Sequence, residues 1–241
     1  MGTTLWCIAV VCAAPFLVGV PIQRLLNRGR PLDESDWLLT PFIGLAVIVL
    51  ISQNLVYLDC RSGKSAGLIW ALVLLGWAGL AVARLLGRRG GSAPVSVFAA
   101  ALAVYLFHGM GLLYVGARVY AGHGWQDEFH YVCLAQFFQD ARFSTSMDHI
   151  GHKVLYGWPT ILKTDRIGQS LLHAFFAAST FQDAKTLFEP TILLGPALTL
   201  LAVYSLGRRL GLDRGRALAV GVAAALLPAV ATMHLDSFLS Q

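Results

Sequence analysis

Long apolar runs, each close to the length of a bilayer crossing, recur along this chain at 5–22, 38–58, 66–86, 94–115, 187–206 and 217–234. The hydrocarbon core of a membrane takes roughly 20 helical residues to cross, so each run is read as a transmembrane span. Helix is the required form, because a stretch isolated in hydrocarbon must satisfy its own backbone hydrogen bonds. Most connections between the runs are short, and one is not. Residues 116–185 are polar for too long to be a simple connector, and loops beyond about 15 residues are usually functional or disordered. The aromatic content of this segment argues against disorder.

Composition agrees with the pattern. Of the 241 residues 56% are hydrophobic and 13% charged, with a mean hydropathy of +0.65. A soluble domain carries about 25% charged residues, a need that a lipid-facing surface removes. The net charge of +5 resides in short arginine clusters rather than in a basic stripe interleaved with aromatics, which excludes a nucleic-acid partner. Arg24, Arg28 and Arg30 follow the first run, Arg84, Arg88 and Arg89 the third, and Arg208, Arg209, Arg214 and Arg216 the fifth. The loop after the second run holds only Arg61 and Lys64. Basic loops face the cytoplasm, so alternate connections are cytoplasmic and both the N-terminus and 116–185 lie outside. Trp37, Tyr57, Tyr120 and Trp125 near run ends fit an interfacial aromatic belt.

The expected fold is therefore all-α: a polytopic transmembrane helical bundle with an extracytoplasmic loop containing short amphipathic helices. Three parts follow, namely an N-terminal membrane bundle of about four spans at 1–115, the extracytoplasmic segment at 116–185, and a C-terminal membrane hairpin at 186–241. The N-terminus lacks the basic start of a cleaved signal, so 5–22 is read as a retained span. Cys7, Cys12, Cys60 and Cys133 contain no CxxC pair and read as small apolar residues.

Within the long segment, 127–138 has a helical spacing that places Phe129, Val132, Cys133, Gln136 and Phe137 along one side, as in a helix lying on a membrane surface. The stretch 167–181, apolar but interrupted by Gln169 and His173, reads as a half-buried re-entrant helix; the alternative, a seventh span, would upset the arginine pattern. The main candidate chemistry is Gly124-Trp125-Gln126-Asp127-Glu128-Phe129-His130-Tyr131. A carboxylate near lipid has its charged form disfavoured, which makes it a better proton acceptor. Acidic residues also begin helices for purely structural reasons, through the helix dipole. Both readings stand. His123, His130, His149 and His152 share the segment with Asp127, Glu128 and Asp148, which makes a divalent cation the one candidate cofactor. No HxxxH or HExxH spacing occurs, so no metal ligands are assigned. His108, inside the fourth run, reads as a packed, hydrogen-bonded neutral histidine ahead of a proton relay.

An outward-facing Asp-Glu followed by aromatics and a short amphipathic helix, in the large loop of a multispanning chain, resembles the GT-C membrane glycosyltransferases, whose relatives include protein mannosyltransferases and lipid A aminoarabinose transferases. The resemblance runs from about Trp125 onward: Asp127 to Tyr131, then Ser170-Leu171-Leu172-His173-Ala174, then Val203-Tyr204-Ser205-Leu206-Gly207-Arg208-Arg209-Leu210-Gly211, then 217–228 with its proline. It implies a polyprenyl-phosphate sugar donor, a glycan, lipid or protein acceptor, and a multi-pass location in a bacterial plasma membrane. It also implies Asp127 as the base that deprotonates the acceptor hydroxyl, with Glu128 its neighbour or a metal contact. His130 and Tyr131 would then contact substrate, and Lys153, Lys163 and Arg166 are the cations available to the leaving phosphate. The chain departs from the family in placing about four spans before the acidic loop and in stopping soon after the sixth, so it is expected to be incomplete at its C-terminus. The alternatives are a transporter, expected to show paired broken helices and buried charge at midplane, and a non-catalytic membrane assembly subunit.

Overall fold

The computed structural model describes residues 1–27, 30–85, 92–118, 126–142 and 167–227, with backbone alone at 84–85 and 126–130. The elements are α1 (Gly2–Leu26), α2 (Glu34–Tyr57), α3 (Ser62–Leu85), α4 (Val95–His108), α5 (Met110–Val115), α6 (Gln126–Asp140), α7 (Gly168–Thr180), α8 (Ala184–Ile192), α9 (Leu194–Arg209) and α10 (Arg214–Ala225). No strand occurs among the described residues, and the fold is the expected all-α bundle. Gly2–Leu26, Glu34–Tyr57, Ser62–Ala83 and the stacked pair Ala184–Arg209 are long and apolar enough to cross a bilayer. The chain is a membrane protein built on transmembrane helices.

These helices have little amphipathic character, because the lipid outside is as apolar as the protein inside. Leu68, Leu72, Leu74 and Leu75 of α3 are exposed, as a lipid-facing surface requires. The inward face is set instead by small and β-branched residues. In α1, Cys7, Val11, Ala14 and Val18 are buried at alternating steps of four and three, which is the seam spacing of packed helices. Glycine permits the closest approach, as membrane interfaces favour. A Cβ added at Gly19 would overlap the Thr40 carbonyl, and one at Gly44 would overlap the Pro15 carbonyl.

Two contacts fix which helix ends lie together. The Ala117 amide donates to Thr4 Oγ1 at 3.0 Å, which joins the end of α5 to the start of α1. Glu34 accepts from the Tyr204 hydroxyl at 2.5 Å and from Arg214 at 2.9 Å, with Arg208 3.8 Å away, which joins the start of α2 to the end of α9 and the start of α10. Arg208, Arg209, Arg214 and Arg216 thus gather at one end of the bundle, and α5 emerges at the other. Asp33, Asp183 and Asp213 cap α2, α8 and α10 by accepting from the amides of Asp36, Thr186 and Arg216 at 2.8, 2.8 and 2.9 Å.

One expectation changes in detail. The run 94–115 is split at Gly109, where an added Cβ would meet Leu193 Cδ1 at 2.9 Å, so α4 is apolar but only 14 residues long. The run 217–234 is described only to residue 227 and yields the 12-residue α10. In α6 the buried positions are Leu134, Ala135 and Phe138, with Cys133 and Gln136 only half-buried. That stripe packs on Val56, Ile167, Leu171, Ala174 and Ala184 of the protein itself. Val132 and Phe137 of the expected stripe are half-buried against the same cluster.

Candidate functional site

At the end of the bundle away from the arginine clusters, α6, α7 and α8 pack against one another. Gln136 Oε1 accepts from the Ala184 amide at 3.0 Å, and Gln139 Nε2 donates to the Gln182 carbonyl at 3.1 Å, so α6 is tied to the start of α8 by two side chains one turn apart. Asp127 and Glu128 occupy the first turn of α6. By helical period, position 127 falls on the stripe that continues through half-buried Tyr131 to buried Leu134 and Phe138. The acidic pair therefore opens a helix whose own stripe is packed into protein.

The 13-residue α7 is about 20 Å long at 1.5 Å per residue, too short to cross the membrane. It is surrounded by α1, α2, α3, α6 and α8. Trp70 Nε1 donates to Ser179 Oγ at 2.8 Å, and the Trp70 and Phe175 rings stack with centroids 5.9 Å apart. Leu171 and Ala174 face α6, and Phe175 to Ala177 belong to the main core. The helix ends at Phe181, which adopts a left-handed conformation at φ 58 and is exposed.

Polar residues interrupt this apolar helix on one side. Ser170 and His173 are fully buried, and Gln169 is half-buried. Both amide atoms of Gln169, the Ser170 hydroxyl and both ring nitrogens of His173 are shielded from solvent and have no hydrogen-bond partner among the described residues. The His173 ring lies 5.1 Å from that of Phe188 in α8. Burial among apolar side chains disfavours the imidazolium and lowers the His173 pKa to about 3, so the ring is neutral at physiological pH. Each unpaired buried polar group costs about 1–3 kcal/mol, and the set gathers several within two turns.

No protein-family model, curated protein or solved structure matches this chain. Its function has to follow from its own residues. Of the positions singled out in the sequence, Asp127, Glu128 and His130 have helical backbone in α6, and Tyr131 lies half-buried on the same helix. Lys153, Lys163 and Arg166 fall outside the described residues, as do His123, Asp148, His149 and His152. Of the seven histidines and carboxylates named for a divalent cation, four thus lie beyond them, and Asp127, Glu128 and His130 are described by backbone alone. Among the described residues no three His, Cys, Asp or Glu side chains gather as metal ligands. His108 Nε2 lies 3.1 Å from the Ala225 carbonyl, a hydrogen-bonded packing of the kind expected. Gln169 and His173 stand in the sequence as polar interruptions of 167–181, and Ser170 in the stretch that carries the resemblance, without an assigned role. Their signal was available, since positions 169, 170 and 173 are the i, i+1, i+4 pattern of polar residues on one side of an otherwise apolar helix. At the arginine-bearing end, Asp33, Glu34, Tyr204 and Arg214 line an open cavity of about 540 Å³, but the Glu34 carboxylate there is already paired.

Proposed function

We propose that this chain is a membrane glycosyltransferase of the GT-C type, or a portion of one. It would move a sugar from a polyprenyl-phosphate donor to a glycan, lipid or protein acceptor on the outer face of a bacterial plasma membrane. The observation that supports this reading is the placement of Asp127-Glu128 in the first turn of α6, a helix packed on the polar side-chain-bearing α7 at the end of the bundle remote from the arginine clusters. A hydroxyl is a poor nucleophile until a base takes its proton in the transition state. In this reading Asp127 accepts that proton, the acceptor oxygen bonds to the anomeric carbon with inversion, and the bond to the lipid phosphate breaks. Glu128 keeps the local potential negative, which favours the proton on Asp127. Lys153, Lys163 and Arg166 provide positive charge for the departing phosphate, while His130 and Tyr131 contact the substrate.

Membranes carrying the chain, assayed for transfer from a radiolabelled polyprenyl-phosphate sugar, test the proposal. Asp127→Asn keeps the shape and removes the base, so transfer should fall by about 10²–10⁴-fold, the usual contribution of general-base catalysis. Glu128→Gln should cost far less. Equal transfer by wild type and Asp127→Asn, at equal amounts of folded protein, would remove Asp127 from the role.

A further inference from the structure

We infer that two cavities in line along α2, α4 and α9 form one binding site for a phospholipid whose headgroup carries a phosphate and a primary ammonium, taken from the leaflet on the arginine-bearing side. The site does not depend on the glycosyl-transfer reading. The polar cavity of about 540 Å³ lies at the starts of α2, α4 and α10, with Asp33, Glu34, Ser96, Tyr204 and Arg214 in its walls. A second cavity, of about 80 Å³, has Pro41, Phe98, Ala101, Leu102, Leu194 and Leu198 in an apolar lining. The two occupy the same faces of three helices. On α2, Glu34 of the first cavity and Pro41 of the second are two turns apart. On α4, Val97 of the first is followed at steps of four by Ala101 and Tyr105 of the second. On α9, Tyr204 of the first stands one turn from Leu201 and two turns from Ala197 of the second. From Val97 to Tyr105 the line runs about 12 Å toward the middle of the membrane, at 1.5 Å per residue.

A crevice charged at one end and apolar at the other fits an amphipathic molecule, and the bilayer supplies one. Leu102 is 46% exposed, so the apolar cavity opens sideways toward the lipid chains. The Tyr105 hydroxyl in its wall already donates to the Pro190 carbonyl at 2.8 Å and makes no further polar demand. The charged end selects the headgroup. One Asp33 carboxylate oxygen accepts from the Asp36 amide at 2.8 Å, and the other has no partner among the described residues, so it is an acceptor for an ammonium N–H. Arg214 gives one Nη to Glu34 and keeps further N–H groups for a phosphate, with the Ser92 and Ser96 hydroxyls in the same walls. A trimethylated ammonium has no N–H to give Asp33. A headgroup with a phosphate and no cation would set its charge against two carboxylates, Asp33 and Glu34, with Arg214 the one guanidinium among the described wall residues.

Native mass spectrometry of the full protein tests this, after release from mixed micelles holding equal amounts of phosphatidylethanolamine, phosphatidylcholine and phosphatidylglycerol with identical acyl chains. One phosphatidylethanolamine should stay with each protein, preferred over the other two by roughly 10-fold, the ratio expected of one charge-assisted hydrogen bond. Asp33→Asn keeps the cap on α2, since asparagine caps as well as aspartate, and replaces the unpartnered oxygen by an NH₂ donor. The preference for phosphatidylethanolamine over phosphatidylcholine should then vanish, with helicity unaltered. Ala101→Leu fills the apolar cavity with a good helix former and should lower retention of all three lipids several-fold. Free O-phosphoethanolamine at the concentration of the lipid should not displace it, because the acyl chain holds part of the affinity. No retained lipid, equal retention of the three, a preference unchanged by Asp33→Asn, retention undiminished by Ala101→Leu, or displacement by the free headgroup overturns the site.

Discussion

Acid should loosen this bundle through His173, and the size of the effect follows from where the ring sits. In the folded chain its pKa is lowered to about 3 by burial, against about 6.5 for a solvated imidazole. Because the folded pKa is the lower one, the unfolded state binds the additional proton between those values, and stability falls as pH falls. The contribution is constant above about pH 6.5, declines by about 1.4 kcal/mol per unit below it, and levels off only near the folded pKa. Between pH 6.5 and 4.5 the loss is about 2 kcal/mol. His173→Leu has no proton to gain and removes two unpartnered ring nitrogens, so its stability at neutral pH should equal or exceed that of wild type by up to about 3 kcal/mol. Unfolding by SDS titration from neutral-detergent micelles, followed by helicity at a series of pH values, reads both effects. Trp70 fluorescence gives a second probe, since Trp70 stacks on Phe175 of the same helix. Parallel pH profiles for wild type and His173→Leu over pH 6.5–4.5, or a His173 resonance titrating near 6.5 in the folded protein, would refute the reasoning.

Three further outcomes test the packing and the orientation. Gly44→Val should destabilise the α1–α2 crossing by about 3 kcal/mol or abolish folding, because the added Cβ meets the Pro15 backbone, which cannot rotate away; Gly79→Ala in α3, where nothing lies within 4 Å, should be neutral or stabilising by up to about 1 kcal/mol in the same SDS titration. With Cys7, Cys12 and Cys133 replaced by alanine, Cys60 in the turn between α2 and α3 should react with a membrane-impermeant maleimide in intact cells, whereas labelling only after lysis would invert the bundle and put the acidic pair in the cytoplasm.

The spans were legible because hydrocarbon imposes length and helicity together. The runs at 5–22, 38–58 and 66–86 fall inside α1, α2 and α3 to within a residue at their ends, the helices extending further because Thr4, Asp36 and Ser65 lie in helical turns outside the apolar stretch. The split of 94–115 was harder to see, since the side chain that leaves no room for a Cβ at Gly109 is that of Leu193, 84 positions away in the chain. The Glu34–Tyr204 hydrogen bond, 170 positions apart, could not be read from either local sequence. Charge counting placed residues 34 and 214 on one side of the membrane but could not pair them. For α6 the helical period shows which positions share a face, while only α7 shows that Leu134, Ala135 and Phe138 are the ones most deeply covered. Polar residues in 167–181 were visible from the start, yet their lack of partners is a property of the packed structure.

The two ends of the bundle use polar groups in opposite ways. At the arginine-bearing end the charges are matched: Glu34 holds Tyr204 and Arg214, Asp33 and Asp36 cap each other's backbone, and Asp213 holds Arg216. At the other end, of the ten buried side-chain nitrogen and oxygen atoms left without a partner among the described residues, five belong to Gln169, Ser170 and His173. An isolated hydroxyl such as Ser52 is a modest penalty that one span can absorb. Five unpaired atoms within two turns of a 13-residue helix are different, because apolar residues of similar volume at those positions would stabilise the bundle with no change of backbone. Packing by itself therefore gives no reason for polar residues there. They stand on the helix that lies directly against α6, which opens on Asp127.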